Sequence, residues 1–487
     1  MTRSVRSASS LPRTLGSTSR TTLGAVYVYS HADLRIARRL TSSNRFRRPY
    51  CECQGLLIFL VPFIATMASS EPLAAVVKGV NDFTLDFYLT TAEKNGPGKN
   101  VLVSPLSAAL VTAMVHAGAK GVTANEITKG LRFPEDKATL EDGFRALHGV
   151  LANTPNVTLE IANRIYLDKT TKMKPDYTKT VTEVHKSDVE SADFMHNHES
   201  ERQTINNWVL KKTHDKIKDL LSPGMVTPAT SMVLVNAVYF FGKWKEPFDR
   251  EQTYDQDFFV SKSKTVKVPM MHLTKTLRYA EIPQLKAKAV ELCYANKDVC
   301  LQIILPDAKD GLEKMQKQLR EGAFDLSNIE FYPTKVQLSM PKFKLEETIN
   351  IKDVYQKMGM KAMFQPGDAD FSGISEEKLV VSEAIQKTFM DVNEEGTEAA
   401  AATACVARRK RCVEEPLEIF VDHPFLFRLV HSNSLIFIGS HFEPTVPSED
   451  CAPVEDDVEE QVDSHLNDNP QSDDDRIHHK RSHCEML

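Results

Sequence analysis

Hydrophobic residues recur at helical spacing along the first half of the chain. The segment EPLAAVVKGVNDFTLDFYLTTAEK (71–94) has this pattern, and SPLSAALVTAMVHAGAKG (104–121) begins with Ser followed by Pro, the usual start of a helix. A third amphipathic stretch, ESERQTINNWVLKKTHDKIKDLL (199–221), has polar residues between its apolar positions. The pattern therefore predicts an N-terminal half dominated by helices.

After residue 230 the pattern changes to runs rich in β-branched and aromatic residues. Such runs are SMVLVNAVYFFGKW, VCLQIILP, KVQLSMPKFKLEE, KLVVSEAIQKTFMDVNEEG and EIFVDHPFLFRLVHSNSLIFIGSH. They are typical of strands. Helices followed by strands, with no repeat of 20–50 residues, predict an α+β fold with large antiparallel sheets in one domain spanning about 71–444.

Both ends of the chain differ from this domain. Residues 1–50 are rich in Arg and Ser with one acid, Asp33, and GLLIFLVPFIAT (55–66) follows a basic flank. This extension, 1–70, therefore holds a candidate signal or transit segment that is too short to span a bilayer. We expect a secretory or extracellular protein, with a cytoplasmic protein starting at Met67 as the alternative. Residues 445–487 form an acidic tail ending in CEML, for which we expect disorder.

Composition and motifs exclude several classes of function but do not identify one. The net charge of −6 over 487 residues argues against general nucleic-acid binding. The 8 cysteines are too few for a disulfide scaffold and lack zinc-ligand spacing. The sequence contains no nucleophile elbow, HExxH motif, phosphate-binding loop or dinucleotide fingerprint. We therefore expect neither catalytic residues, nor a metal, nor a cofactor.

Several stretches of 71–444, taken in order, resemble the serpin family. They are NVLVSPLSAALVTAMVHAGAKGVTANEI, INNWVLKKTHDKIKDLL, VLVNAVYFFGKWKEPFDREQTYDQDFF, DFSGIS, VNEEGTEAAAATA and DHPFLFRLV followed by IFIGSHFEP. The resemblance implies a serpin fold: a large central, mostly antiparallel sheet, two further sheets, about eight or nine helices and an exposed reactive-centre loop. It also implies a suicide-substrate inhibitor of serine proteases, with a non-inhibitory carrier or chaperone as the alternative.

The small-residue run in GTEAAAATACVARRKRC resembles the hinge of that loop. Serpins inhibit when a protease cuts the loop and its N-terminal side inserts into the main sheet as a new strand. Alternate residues must then face the interior, here Thr397, Ala399, Ala401 and Thr403, with Glu398 and Ala400 on the other side. The predicted hinge comprises Glu394, Glu395, Gly396, Thr397, Glu398, Ala399, Ala400, Ala401, Ala402, Thr403 and Ala404.

The basic half of the same stretch predicts the target. Arg408, Arg409, Lys410 and Arg411 match the preference of furin-like convertases, whose acidic clefts select several cations, while trypsin-like proteases need a single one. We expect the reactive bond between Arg411 and Cys412, with Lys410–Arg411 as the alternative. Cys405 and Cys412 bracket the cations, and we expect free thiols because a disulfide between them would hinder insertion.

The resemblance implies two further sites and a set of partners. Ser104, Ser107, Asn236 and Gln386 are expected at the shutter, where the strands part, and Trp244 and Glu394 at the breach, near the origin of the loop. Family members commonly have His at the position of Gln386. Glutamine can donate and accept hydrogen bonds as histidine does, but it cannot carry charge. Asn156 in NVT is a candidate glycosylation site. The expected partner is a serine protease, held in a covalent acyl complex. The protein itself is expected to be a monomer that polymerises when its loop enters the sheet of another copy.

Overall fold

The computed structural model describes residues 71–152, 154–397 and 415–444. Contacts divide the chain into Met1–Ala68 and Ser69–Leu487, and every described residue lies in the second unit. The described residues form eight α-helices: α1 (Glu71–Asn95), α2 (Pro105–His116), α3 (Gly121–Gly130), α4 (Lys137–Ala152), α5 (Pro175–Glu183), α6 (Phe194–Lys212), α7 (Leu312–Arg320) and α8 (Ile351–Lys357). None of these helices is long and apolar enough to cross a membrane.

The described residues also form fifteen strands and three short 3-10 helices (Arg250–Gln252, Leu326–Asn328 and Ala362–Phe364). The strands are β1 (Val101–Val103), β2 (Val157–Asp168), β3 (Val189–Ala192), β4 (Met232–Lys243), β5 (Tyr254–Ser261), β6 (Lys264–Ile282), β7 (Ala287–Cys293), β8 (Val299–Pro306), β9 (Tyr332–Pro341), β10 (Phe343–Asn350), β11 (Glu383–Val392), β12 (Gly396–Thr397), β13 (Leu417–Phe420), β14 (Phe425–His431) and β15 (Ser434–His441).

The main sheet has the order β10-β11-β4-β2-β3, and β12 pairs with β4 outside this path. The β10–β11 and β4–β2 pairs are antiparallel, whereas β11 runs parallel to β4 and β2 parallel to β3. The remaining nine strands form one hydrogen-bonded sheet. The two further sheets expected from the resemblance are joined through the 19-residue strand β6, which pairs with β5, β9 and β7 along its length. The α+β prediction is confirmed.

Side chains of β4 alternate between two cores because successive residues of a strand point to opposite faces. Val233, Val235 and Ala237 pack in a smaller core with Ile205 and Val209 of α6. On the other face, Leu234, Val238 and Phe240 join the large core between the main sheet, the nine-stranded sheet and helices α1 and α2. β4 is therefore buried on both faces, which explains its near-continuous apolar sequence.

The helix predicted over 199–221 is wrong at its C-terminal end. Helix α6 begins at Phe194, where Asp193 caps it by accepting a hydrogen bond from the His196 amide, and it ends at Lys212. Beyond it, His214 and Asp215 adopt positive φ angles of 50° and 62°, which break the helix. The apolar residues that continued the helical spacing, Ile217 and Leu220, pack into the smaller core from an irregular segment instead.

Candidate functional site

The shutter residues expected from the sequence come together beneath the main sheet. Gln386 of β11 lies directly opposite Asn236 of β4 across the parallel pair, and its amide donates to Asn236 Oδ1 at 2.8 Å. The same amide group is bonded to the backbone of Ser104: Nε2 donates to the carbonyl at 2.8 Å, and Oε1 accepts from the amide at 3.0 Å. All three side chains are fully buried. One neutral side chain therefore ties both central strands to the start of α2.

Asn163 of β2 completes this network, although the sequence did not single it out. Asn236 Nδ2 donates to Ser107 Oγ and to Asn163 Oδ1, both at 2.7 Å, and Ser107 Oγ donates to Asn163 Oδ1 at 3.1 Å. Ser104 Oγ in turn donates to the carbonyl of Ile436 at 2.8 Å. The shutter is a row of uncharged hydrogen-bonding groups that spans β11, β4 and β2. The sequence signal that could have identified Asn163 is a polar residue at an inward-facing position of a strand.

Trp244, predicted at the breach, holds the turn that follows β11. Its backbone amide donates to the carbonyl of Glu395 at 2.8 Å, and its indole Nε1 donates to the carbonyl of Asn393 at 2.8 Å. On its other side, the indole stacks on Tyr294 with ring centroids 4.3 Å apart. The first residues of the predicted hinge are thus anchored by a buried aromatic side chain and its backbone.

Two ion pairs hold the carboxylates of this turn. Lys342 Nζ lies 3.1 Å from Glu394 Oε2, and Arg250 Nη2 lies 2.6 Å from Glu395 Oε1. Burial alone would raise the pKa of Glu394, but hydrogen bonds from its own backbone amide and from Lys342 outweigh it and lower the pKa. Glu394 is therefore charged at neutral pH. Lys342 and Arg250 could not be found from the sequence, since each partner is distant along the chain.

Beyond the turn, β12 occupies the place where β4 and β11 diverge. The parallel pairing of β11 with β4 ends at Phe389 opposite Tyr239. Further along β4, Gly396 pairs with Lys243 and Thr397 with Gly242 in antiparallel register. The Asn393 amide donates to the Gly396 carbonyl at 2.8 Å, which closes a tight turn from β11 into β12. The chain thus already pairs as a strand with β4, directly after the turn that ends β11.

Gly396 permits this alignment. Its φ of 141° is one that side chains rarely adopt, and a Cβ atom there would lie 2.0 Å from the Gly242 carbonyl oxygen and 2.7 Å from Lys243 Cα. The remaining predicted hinge residues Glu398–Ala404, together with Cys405, Arg408, Arg409, Lys410, Arg411 and Cys412, lie outside the described residues. Asn156 lies on an exposed turn between α4 and β2, with φ of 63°.

Comparisons with known proteins agree with this geometry. Residues 78–444 match the profile of the serpin (serine protease inhibitor) family. The chain is 37% identical over 370 residues to antichymotrypsin-2 of Bombyx mori, covering 75% of this chain and 98% of the relative. It is 37% identical over 380 residues to the leukocyte elastase inhibitor of Bos taurus, covering 74% and 97%. The crystal structure of Serpin48, a highly specific serpin of the insect Tenebrio molitor, matches with a TM-score of 0.70 and 33% identity, covering 78% of this chain and 100% of that one.

The chain belongs to the serpin family of serine protease inhibitors. Both sites described above then lie along the one pair of strands that a serpin is expected to open. The shutter lies at its middle, and the breach lies at the end where β12 begins.

We predict that Gly396→Ala detaches β12 from β4. The added Cβ collides with backbone atoms that cannot move independently, at an estimated cost of about 1–3 kcal/mol. Hydrogen exchange at Gly242 should accelerate, and the melting temperature should fall. Gly149→Ala in α4 is the control, because its Cβ meets no atom within 4 Å. Equal exchange at Gly242 in both variants would contradict this explanation of Gly396.

We further predict that Gln386→His makes the stability of the uncut protein depend on pH. Burial lowers the pKa of His148 to about 4 and of His185 to about 3, and position 386 is more deeply buried than either. A histidine whose folded pKa lies below its unfolded value of about 6.5 stabilises the protein above that pH and loses this contribution as the pH falls. A folded-state pKa that is lower by 1 changes the free energy of unfolding by about 1.4 kcal/mol once the histidine is protonated.

Melting temperatures at pH 7.5 and 5.5 test this prediction. Gln386→His should lose more stability between the two than the natural protein does. Gln386→Leu is the matched control, since it removes the same hydrogen bonds without adding a titrating group. The same pH dependence in both variants would show that the new histidine does not titrate in this range.

Proposed function

We propose that this protein inhibits serine proteases by cleavage of its reactive loop, followed by insertion of the N-terminal side of the loop between β11 and β4. The observation that carries the proposal is β12, two residues that already pair with the end of β4 at the point where β11 leaves it. In an inserted form the segment after Thr397 would continue the same strand. The protease would remain attached through its own serine as an acyl ester.

The register of the turn supports insertion of the small-residue run. Asn393 pairs with Gly396 and Thr397 pairs with Gly242, so both neighbours assign the same position to each later residue. Continued in this register, Thr403 would lie opposite both Gln386 and Asn236, and Val406 would lie opposite Glu383. The run 397–406 would therefore fill the length of the β4–β11 interface.

The alternation of side chains supports the same proposal. Ala399 would lie beside Phe240 and Ala401 beside Val238, both of which face the large core. Small residues fit such positions without displacing the packed side chains around them. If roughly ten residues each gain a net 1 kcal/mol from ladder hydrogen bonds, on the order of 10 kcal/mol becomes available to drag the attached protease.

We also propose that the physiological targets are furin-like convertases, with trypsin-like proteases as the alternative. The four cations Arg408–Arg411 support this because a convertase cleft places several guanidinium groups against carboxylates. The proposed reactive bond joins Arg411 to Cys412, with Lys410–Arg411 as the second candidate. Extension of the strand only to Val406 would leave these cations beyond the inserted segment.

We propose that the protein enters the secretory pathway, with a cytoplasmic form starting at Met67 as the alternative. The exposed turn at Asn156 and the disulfide between Cys293 and Cys300 support the proposal, since disulfides persist in oxidising compartments. Expression of the full chain in secreting cells tests it. We expect the protein to be secreted and its mass to fall on treatment with a glycosidase. The mass of Asn156→Gln should not fall. Retention of an unglycosylated chain in the cells would contradict the proposal.

We predict that Thr397→Arg converts the inhibitor into a substrate. Thr397 lies opposite Gly242 at the entrance to the interface, where an inserted guanidinium would be buried without a partner at a cost of several kcal/mol. The loop should still be cut at the same bond, but the yield of complex that survives SDS should fall. Thr397→Val, which has nearly the same volume, should still form the complex. An unchanged yield for Thr397→Arg would refute insertion through this position.

We predict that Arg408→Ala slows association with furin and barely changes association with trypsin. Arg408 lies four positions before a cut after Arg411, where a convertase pairs the cation and a trypsin-like enzyme makes little use of it. Loss of one desolvated, paired guanidinium costs about 2–5 kcal/mol, or roughly 30- to several-thousand-fold in rate. Arg411→Ala should impair both enzymes.

Rates of complex formation with the two proteases, together with mass-spectrometric mapping of the cut, provide the test. Inhibition of furin that survives Arg408→Ala, or a cut mapped after Lys410, would refute the convertase assignment. Neither result would affect the assignment to the serpin family.

A further inference from the structure

The hairpin formed by β7 and β8 is closed at its tip by the disulfide Cys293–Cys300. The two cysteines are directly opposite each other in the antiparallel pair, and their Cα atoms are 3.9 Å apart. Hydrogen bonds stabilise the tip, residues 294–298; one of them runs from the Tyr294 amide to the Val299 carbonyl at 3.0 Å. The cross-link therefore separates this short turn from the rest of the hairpin.

The closed tip is bound to the residues on either side of Trp244, namely Lys243 at the end of β4 and Lys245. The Ala295 amide donates to the Lys243 carbonyl at 2.7 Å, and the Lys245 amide donates to the Cys293 carbonyl at 3.0 Å. Between these bonds, Tyr294 forms an isolated β-bridge with Trp244 and stacks on its indole at 4.3 Å with an interplanar angle of 20°. Cys293 itself thus contacts Lys245, the residue that follows Trp244.

Trp244 transmits this contact to the origin of the loop. Its other hydrogen bonds run to the carbonyls of Asn393 and Glu395, the residues that turn β11 into β12. The disulfide, the tip, Trp244 and the turn consequently form one continuous chain of contacts. Anything that loosens the tip also loosens the group that anchors the turn.

We propose that Cys293–Cys300 is a redox-modification site whose state controls how firmly the breach is held closed. This proposal rests on the proposed insertion mechanism for its consequence, but not for its first readouts. With the bond formed, the tip has few open conformations and Tyr294 is held against Trp244. With the bond reduced, the tip opens more often, and the turn at 393–395 is released more readily.

The chemistry is thiol–disulfide exchange with a dithiol reductant. Cys293 is partly exposed and Cys300 is buried, so the attacking thiolate reaches Cys293 Sγ. The Sγ–Sγ bond breaks, Cys300 leaves as a thiolate and takes a proton from water. The second thiol of the reductant then displaces Cys293 from the mixed disulfide. Two electrons pass to the protein, which gains two thiols, and the dithiol becomes a disulfide.

The other metal-ligating side chains nearby do not compete with this assignment. Within the described residues, the one group of three such side chains is Glu291, Cys293 and Cys300. Both sulfurs are bonded to each other, and the Glu291 carboxylate is already occupied by Arg278 at 2.7 Å and by Gln302 at 2.7 Å. A redox function for the cysteine pair uses the groups as the structure presents them.

Hydrogen exchange of the full uncut chain, with and without dithiothreitol, tests the proposal. Reduction should accelerate exchange at residues 294–298 and at the Trp244 amide by roughly 10-fold or more, and should lower the melting temperature by about 2–5 °C. The distant β2–β3 pair should be unaffected. Neither readout needs a protease, so a failure of the inhibitory function would not disguise the result.

Two variants make the assignment specific. The double variant Cys293→Ser, Cys300→Ser should resemble the reduced protein and no longer respond to dithiothreitol. A chain with Cys405→Ser and Cys412→Ser should respond as the natural protein does. Heat-induced polymers should form several-fold faster from the reduced protein than from the oxidised one. Equal exchange at Trp244 in the two redox states, or alkylation of both cysteines without reductant, would overturn the proposal.

Discussion

The parallel contact between β4 and β11 is the constraint on which the rest of the structure depends. Seven residue pairs, from Glu383–Val233 to Phe389–Tyr239, join two strands that lie in the middle of the main sheet. β4 is buried on both faces, so the pair cannot separate without exposing apolar surface or admitting another strand. The contacts at its middle and at its end therefore decide when it opens.

These two control points use different physical interactions. At the shutter, Gln386, Asn236 and Ser107 exchange hydrogen bonds among neutral groups, so an incoming polar side chain could replace the bonds that are lost without moving charge into the core. At the breach, Glu394 and Glu395 are tied to Lys342 and Arg250, and Trp244 binds the turn between them. The shutter favours exchange of partners, whereas the breach resists movement until its anchors are released.

Local patterns in the sequence predicted the parts that depend on local physics. Ser104 caps α2 as its place before Pro105 indicated, with its Oγ accepting from the Ser107 amide at 3.4 Å. The resemblance predicted that Gln386 and Asn236 lie together at the shutter. Asn163, which bonds to Asn236, is 73 positions away from it in the chain, and no local pattern marks such a partner. The same applies to Lys342 beside Glu394. Helix α6 was predicted too long because Ile217 and Leu220 are buried at helical spacing without being helical.

The melting temperature before and after a single cut in the loop tests most directly whether the β4–β11 interface accepts a new strand. Limited digestion with a protease that cuts the loop without forming a stable complex produces the cut form, and calorimetry compares it with the uncut protein. Insertion of roughly ten residues would add ladder hydrogen bonds and apolar burial, so the account predicts a rise on the order of 10–20 °C. Equal melting temperatures for the two forms would contradict it.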